Sequence, residues 1–232
     1  MKRYLLLLAA ASACLAANAQ NIEFADPGCK AICVKYFDTD ADGEISEEEA
    51  AAVTDIRKCF FRSKISSFDE FRYFTGVKKV SNMAFRNSSL ESIVLPEGLA
   101  SIGKGAFQEC VSLTSVVLPE GLESVDDLAF SGCTALAEIN LPSSVRMIGY
   151  QAFAGCTSLE SLVIPRKINL LGDDAFFSSG LKELRFLCKE APSCPSLILP
   201  SSVEAVYIPK GTLSSWKSEE GWEKYAEKLI SE

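Results

Sequence analysis

Residues 106–119 read AFQECVSLTSVVLP, residues 129–142 read AFSGCTALAEINLP, and residues 152–165 read AFAGCTSLESLVIP. The three stretches align without a gap. Working outward, the Ala-Phe pair also occurs at Ala84-Phe85 and Ala175-Phe176, so successive pairs stand 22, 23, 23 and 23 residues apart. Other columns keep step: Leu90, Leu113, Leu136, Leu159 and Leu181, then Ile93, Val116, Ile139, Leu162 and Leu184, then Pro96, Pro119, Pro142 and Pro165. A self-similar period of this length marks stacked repeats.

Within one unit, Val116 and Leu118 alternate with polar or exposed positions, which predicts a short strand with two side chains inward, and Pro119 ends its ladder. Alanine before phenylalanine fits a tight corner where the chain turns back beneath the ring. One coil cannot bury its apolar face alone, so neighbouring coils must stack into a continuous core. The expected fold is an α+β repeat: a solenoid of ~23-residue coils with short strands and a helical cap at each end. Beside each strand, Ser92, Ser115, Glu138, Ser161 and Glu183 should point outward, next to Val94, Val117, Asn140, Val163 and Arg185. This second column is the candidate ligand-binding face.

The recurrent pattern Phe-x-x-Cys-x-x-Leu-x-x-Ile-x-Leu-Pro, as in Phe107 to Pro119, with an Ile-Gly turn as at Ile148-Gly149, resembles the BspA-like (Treponema-type) leucine-rich repeats of bacterial surface proteins. The resemblance covers about residues 70–209. It implies a non-enzymatic adhesion or protein-binding role at a cell surface, with an extracellular protein or glycoprotein as partner. Residues 188–196, CKEAPSCPS, depart from the pattern before LPSSVEAVYIP resumes at Leu199.

Residues 38–49, DTDADGEISEEE, match an EF-hand loop position by position. Asp38, Asp40 and Asp42 stand at 1, 3 and 5, Gly43 at 6, Glu44 at 7 for its carbonyl, Ser46 at 9, and Glu49 at 12 as a bidentate ligand. Oxygen-only donors in a flexible loop point to one Ca²⁺, in a structural role. Cys29, Ile32, Cys33, Tyr36 and Phe37 share a helical face before the loop, and Glu47 to Ile56 reads as a second helix after it. EF-hands usually pair, so this single loop should dock its apolar face on the end of the solenoid. The same segment resembles a single, distantly dockerin-like calcium module. That implies an alternative function, a docking module joined to a repeat spacer in an extracellular assembly.

The start, MKRYLLLLAAASACLAANAQ, carries two cations, an apolar run and Ala17-Asn18-Ala19, which fits an export signal cleaved before Gln20. Cys14 offers a lipid-anchor alternative, although the leucine expected three residues before it is absent. No later segment has the ~20 apolar residues of a membrane span. Removing Lys2 and Arg3 leaves 21 basic against 31 acidic residues, a formal −10, which argues against nucleic acid as a partner. The chain has no histidine, so the commonest general base and the commonest zinc ligand are missing. No enzyme is expected.

Domain limits read as signal 1–19, calcium-binding cap 20–62, repeats 63–209 and capping helix 210–232. Residues Trp216, Trp222, Tyr225, Ala226 and Leu229 fall at an approximately helical spacing, as an amphipathic helix or a pair of turns that covers the last coil. Of the cysteines, Cys110, Cys133 and Cys156 repeat with the coil and should be buried thiols, whereas Cys188 and Cys194 are close enough in sequence for a bond.

Overall fold

The computed structural model describes residues 20–232; the expected signal segment and Cys14 lie outside the described residues. The coils contribute short parallel strands to two sides of the stack, because the repeated apolar columns demand the same inward position at the same height. On one side, β1 (Ser67–Phe68), β3 (Ser92–Val94) and β5 (Ser115–Val117) pair in register, Ser92 opposite Ser115 and Val94 opposite Val117. Farther along the same side run β8 (Ser161–Ile164), β10 (Glu183–Phe186), β11 (Ala205–Ile208) and β12 (Leu229–Ser231). The opposite side holds two-residue strands: β2 (Lys79–Val80), β4 (Ser101–Ile102), β6 (Ser124–Val125), β7 (Met147–Ile148) and β9 (Leu170–Leu171). Glu138–Asn140, at the register between β5 and β8, forms no ladder, so the first side is split into three and four strands.

A third set of bonds runs through the Ala-Phe corners. Phe85, Phe107, Phe130 and Phe153 each donate their amide to the alanine carbonyl of the next corner at 2.8 Å. To aim those amides along the stack, the corner alternates handedness: Met83, Asn87, Glu109, Leu128, Gln151, Asp174 and Ser178 all take positive φ, between 51° and 61°. Left-handed backbone costs a non-glycine residue roughly 1–2 kcal/mol, which the inter-coil bonds and the rings beneath must offset. The rings of Phe85, Phe107 and Phe130 stack at 5.1 and 5.2 Å with planes within 3° of parallel. Phe153 and Phe176 continue the column, and all five are fully buried. At Gly172 the coils approach so closely that a Cβ would lie 2.4 Å from the Gly149 carbonyl carbon. That contact accounts for the Ile-Gly turn.

The phenylalanine column starts earlier than the Ala-Phe repeat suggests. Phe60, which follows Cys rather than Ala, stacks on Phe85 at 5.1 Å. Phe68, Phe71 and Phe74 close the end of the stack as a buried aromatic plug. Against it lies a helix-loop-helix: α1 (Pro27–Phe37), a loop, and α2 (Glu47–Ala52). The second helix is shorter than the expected Glu47–Ile56, because Val53 turns to extended backbone where Gly76 of the first coil meets the chain. A Cβ on Gly76 would lie 2.5 Å from the Ala51 carbonyl oxygen. Tyr36 is exposed rather than on the buried face, which consists of Cys29 and Cys33 with Ile32 and Phe37 at its margin.

The C-terminal segment is not one helix. It consists of α3 (Leu213–Ser218), a 3-10 turn at Glu223–Tyr225, and β12, which adds a strand to the ladder. Gly221 at φ 87° interrupts the helical path, and the chain gains a full row of backbone bonds by re-entering the sheet. Trp216 and Trp222 still cover the core as expected, packing edge-on to Phe186 at 5.0 and 5.1 Å. Their indole N–H groups donate to the carbonyls of Lys189 and Pro192, both at 3.1 Å, so the irregular segment 188–196 is pinned from above. Cys188 and Cys194 are separate buried thiols, Cys194 donating to the Pro192 carbonyl.

Candidate functional site

The loop between α1 and α2 is shaped by its own carboxylates. Asp38 accepts from the amides of Ala41 (2.7 Å) and Gly43 (3.0 Å), Asp40 from Asp42 (3.1 Å), and Asp42 from Glu44 (2.8 Å). Positive φ at Ala41 (63°) and Gly43 (86°) folds the chain back sharply. The result brings one oxygen from each of Asp38, Asp40 and Asp42 within 4.8 Å of one another. Oxygens ~2.3–2.6 Å from a calcium ion lie at most ~4.6–5.2 Å apart, so the spacing of the three is compatible with a hard cation. Glu44 turns its side chain to Lys30 at 2.7 Å.

Glu49 stands at the third position of α2 and closes the loop. One of its oxygens accepts from Thr39 N and Oγ1 (2.7 and 2.8 Å), the other from Ser46 N and Oγ (both 3.0 Å), and Ser46 Oγ accepts from Glu49 N in return. This is a reciprocal helix cap. Burial pushes the Glu49 carboxyl up, but the hydrogen bonds from Ser46 and Thr39 outweigh it and hold the group down at about 2. It is therefore an anion at any physiological pH.

Sequence reasoning left the unpaired loop without a β partner. The structure supplies one from residues 20–22: Ile22 N donates to Ile45 O at 2.8 Å, and Glu47 N donates to Gln20 O at 3.0 Å. Ile45 is thereby fully buried. No motif in residues 20–22 announces this role. The aperiodic Asp26 is another such residue, its side chain capping α1 through Gly28 and Cys29 while its second oxygen accepts from Ser66 N at 2.6 Å.

Along the strand side, Val94 lies opposite Val117 and Val163 opposite Arg185, while Asn140 stands in the unpaired coil between the two ladders. Val117 and Val163 are 52% and 48% exposed, Asn140 is exposed, and Val94 and Arg185 are partly covered. Their inward neighbours Ile93, Val116, Ile139, Leu162 and Leu184 are buried. The register of β10, β11 and β12 extends the row of Val163 and Arg185 to Tyr207 and Ile230, which the insertion at 188–196 hides from a fixed-period reading. Arg185 lies over the Tyr207 ring at 4.4 Å and pairs with Glu232.

The repeated cysteines lie inside. Cys110, Cys133 and Cys156 donate to the carbonyls of Phe85, Phe107 and Phe130 at 3.0, 3.1 and 3.2 Å. Burial raises Cys110 to about 11, Cys156 to about 12 and Cys133 well above its ordinary value, so none is a thiolate at neutral pH. They are packing groups rather than nucleophiles.

Residues 78–191 match the model of the BspA type leucine rich repeat region, in six copies. Among solved structures, the chain is similar to the pneumococcal vaccine antigen PcpA, at 27% identity and a TM-score of 0.59 over 73% of this chain and 42% of that one. It also matches a leucine rich repeat protein of T. pallidum (28% identity, TM-score 0.45, 67% of this chain and 62% of that one). A third match is a leucine-rich repeat protein from Bacteroides ovatus (21%, 0.42, 57% and 46%). The chain thus spans less than two thirds of each of these relatives. No curated protein matches it. Among the described residues, no helix is long and apolar enough to cross a membrane.

Proposed function

We propose that this chain is an exported or surface-held binding protein of the BspA-type repeat class, which engages an extracellular protein or glycoprotein through the outward column of its strand side. One observation carries the reading: half-exposed valines at 117 and 163 occupy the same outward position of β5 and β8, on strands whose inward side chains are buried. Apolar side chains held rigidly in water cost nothing to pre-order before binding, which favours their use as contacts. The alternative, a docking module with a repeat spacer, is disfavoured because the helix-loop-helix spends its apolar face on the first coil. Cys29, Cys33, Ile45 and Ala50 are buried there.

The loop at 38–49 is read as a structural Ca²⁺ site. Asp38, Asp40, Asp42, the Glu44 carbonyl and Glu49 would hold the ion, with Ser46 near it through water, and the ion would relieve repulsion among crowded carboxylates. Its work is to stiffen the cap rather than to signal.

The test is binding of the folded chain to an immobilised panel of extracellular matrix proteins and glycoproteins. Val117→Lys and Val163→Lys should weaken capture by about tenfold or more, whereas Lys79→Ala on the opposite ladder should not. Wild-type binding by both lysine variants would remove the strand side as the contact surface.

A further inference from the structure

The irregular segment that breaks the repeat pattern builds one wall of a cleft of about 630 Å³, at the C-terminal ends of β8, β10, β11 and β12. Its lining includes Arg166 and Lys167 after β8, Arg185 and Tyr207 on the strands, and Lys189 on the pinned segment, with Glu190 and Glu232 as the only acidic side chains among the described lining residues. Four cations against two carboxylates stand here on a chain whose formal charge is −8. Among the described residues, Arg166, Lys167 and Lys189 have no ion-pair partner. Lys189 is held in place by its backbone, whose carbonyl accepts from the Trp216 indole at 3.1 Å.

We propose that this cleft binds an acidic saccharide, one whose sugar units carry carboxylate or sulfate groups. The inference rests on the reading of the strand side as a binding surface and names the ligand chemistry at its C-terminal end. Arg185 is ordered over Tyr207 and presents a planar fork suited to a carboxylate or sulfate. Glu232 pairs with Arg185 at that fork, so an incoming anion has to compete with it. An acidic peptide is the lesser fit. The two strands whose residues line the cleft, β10 and β11, are each paired on both sides, so neither offers a free edge for a peptide backbone to join. Recognition falls to side-chain cations spread around an open cleft, whose volume lies within the ~300–1,000 Å³ of small-ligand sites.

Calorimetric titration of the folded chain should use four probes: a sulfated tetrasaccharide from heparin, a carboxylated tetragalacturonate, a neutral chitotetraose and a glutamate decapeptide. At least one anionic saccharide should bind one to one and weaken with salt, and the two anionic arms tell sulfate from carboxylate. Lys167→Glu with Lys189→Glu should weaken it at least about tenfold. Both side chains are exposed, so an unchanged melting temperature certifies the fold. Glu232→Gln should tighten binding about threefold, and Glu23→Gln at the far end should leave it unchanged. Failure of both anionic saccharides, equal binding of the neutral one, indifference to the double reversal, or binding of the peptide as tight as any saccharide would each overturn the proposal. No tightening in Glu232→Gln would remove Glu232 as competitor. If the saccharides fail while Val117→Lys and Val163→Lys still lose a protein ligand, the cleft assignment falls and the strand-side reading stands.

Discussion

Phe130 shows what a single residue contributes to a stacked protein. Its ring lies between Phe107 at 5.2 Å and Phe153 at 5.4 Å, and its amide reaches the next coil. Replacing it with alanine removes both stacking faces and leaves a cavity that adjacent coils cannot close, since their spacing is set by backbone bonds. The loss should be about 3–5 kcal/mol, read as a lower midpoint in urea or heat, and an unchanged midpoint would mean that the ring is not a core element. The cysteine column makes a separate statement at the same scale. Because burial shields all three thiols and raises them above their ordinary value, iodoacetamide at pH 8 should leave Cys110, Cys133 and Cys156 unmodified in the folded chain and alkylate them after denaturation. Mass spectrometry of the native reaction decides it.

The first helix depends on one carboxylate that serves two elements. Asp26 caps α1 with one oxygen and holds Ser66, beside β1, with the other. Desolvation raises its pKa, but the bonds from Ser66, Cys29 and Gly28 together hold it below 3.8. A depressed folded pKa stabilises the fold above the unfolded value and is lost as pH falls through the folded one, so this contribution fades below about pH 4. Asp26→Ala should cost about 1 kcal/mol as a lost cap at pH 7. The deficit should shrink as pH falls below about 4 and through the lowered folded pKa, where the wild type loses the same interaction. A deficit constant across that range would show that the charge is not what ties the helix to the coil.

For the molecule as a whole, the two ends determine whether the stack survives. Solenoid coils contact only their neighbours, so each end exposes a core unless something covers it. The C-terminal end is closed by Trp216, Trp222 and an added strand, the N-terminal end by the aromatic plug and the helix-loop-helix. An ion bound only by the folded loop stabilises it by mass action. Millimolar calcium should therefore raise the melting temperature of the N-terminal transition, and chelator should lower it. Asp38→Ala or Glu49→Gln should lose most of that rise while leaving the repeats folded, as followed by far-ultraviolet dichroism. A melt indifferent to both calcium and chelator would return residues 38–49 to an acidic helix start.

Periodicity alone determined the repeat body, its inward columns and the outward positions Val94, Val117, Asn140, Val163 and Arg185, because stacking forces every coil to obey one spacing. Position-by-position chemistry likewise made the acidic loop legible, since the φ of Gly43 and the placement of its carboxylates are local demands. Where contacts join residues far apart with no spacing rule, the sequence was silent. The pairing of Ile22 with Ile45, the docking of Glu70 on Ala25 at 2.9 Å and the inclusion of Phe60 in the ring column are of this kind. The C-terminus is the clearest case: helical spacing in Trp216, Trp222, Tyr225 and Leu229 pointed to a helix or a pair of turns, not to a strand. Only the unpaired edge of β11, present once the coils are stacked, could draw Leu229–Ser231 into a strand and set Glu232 beside Arg185.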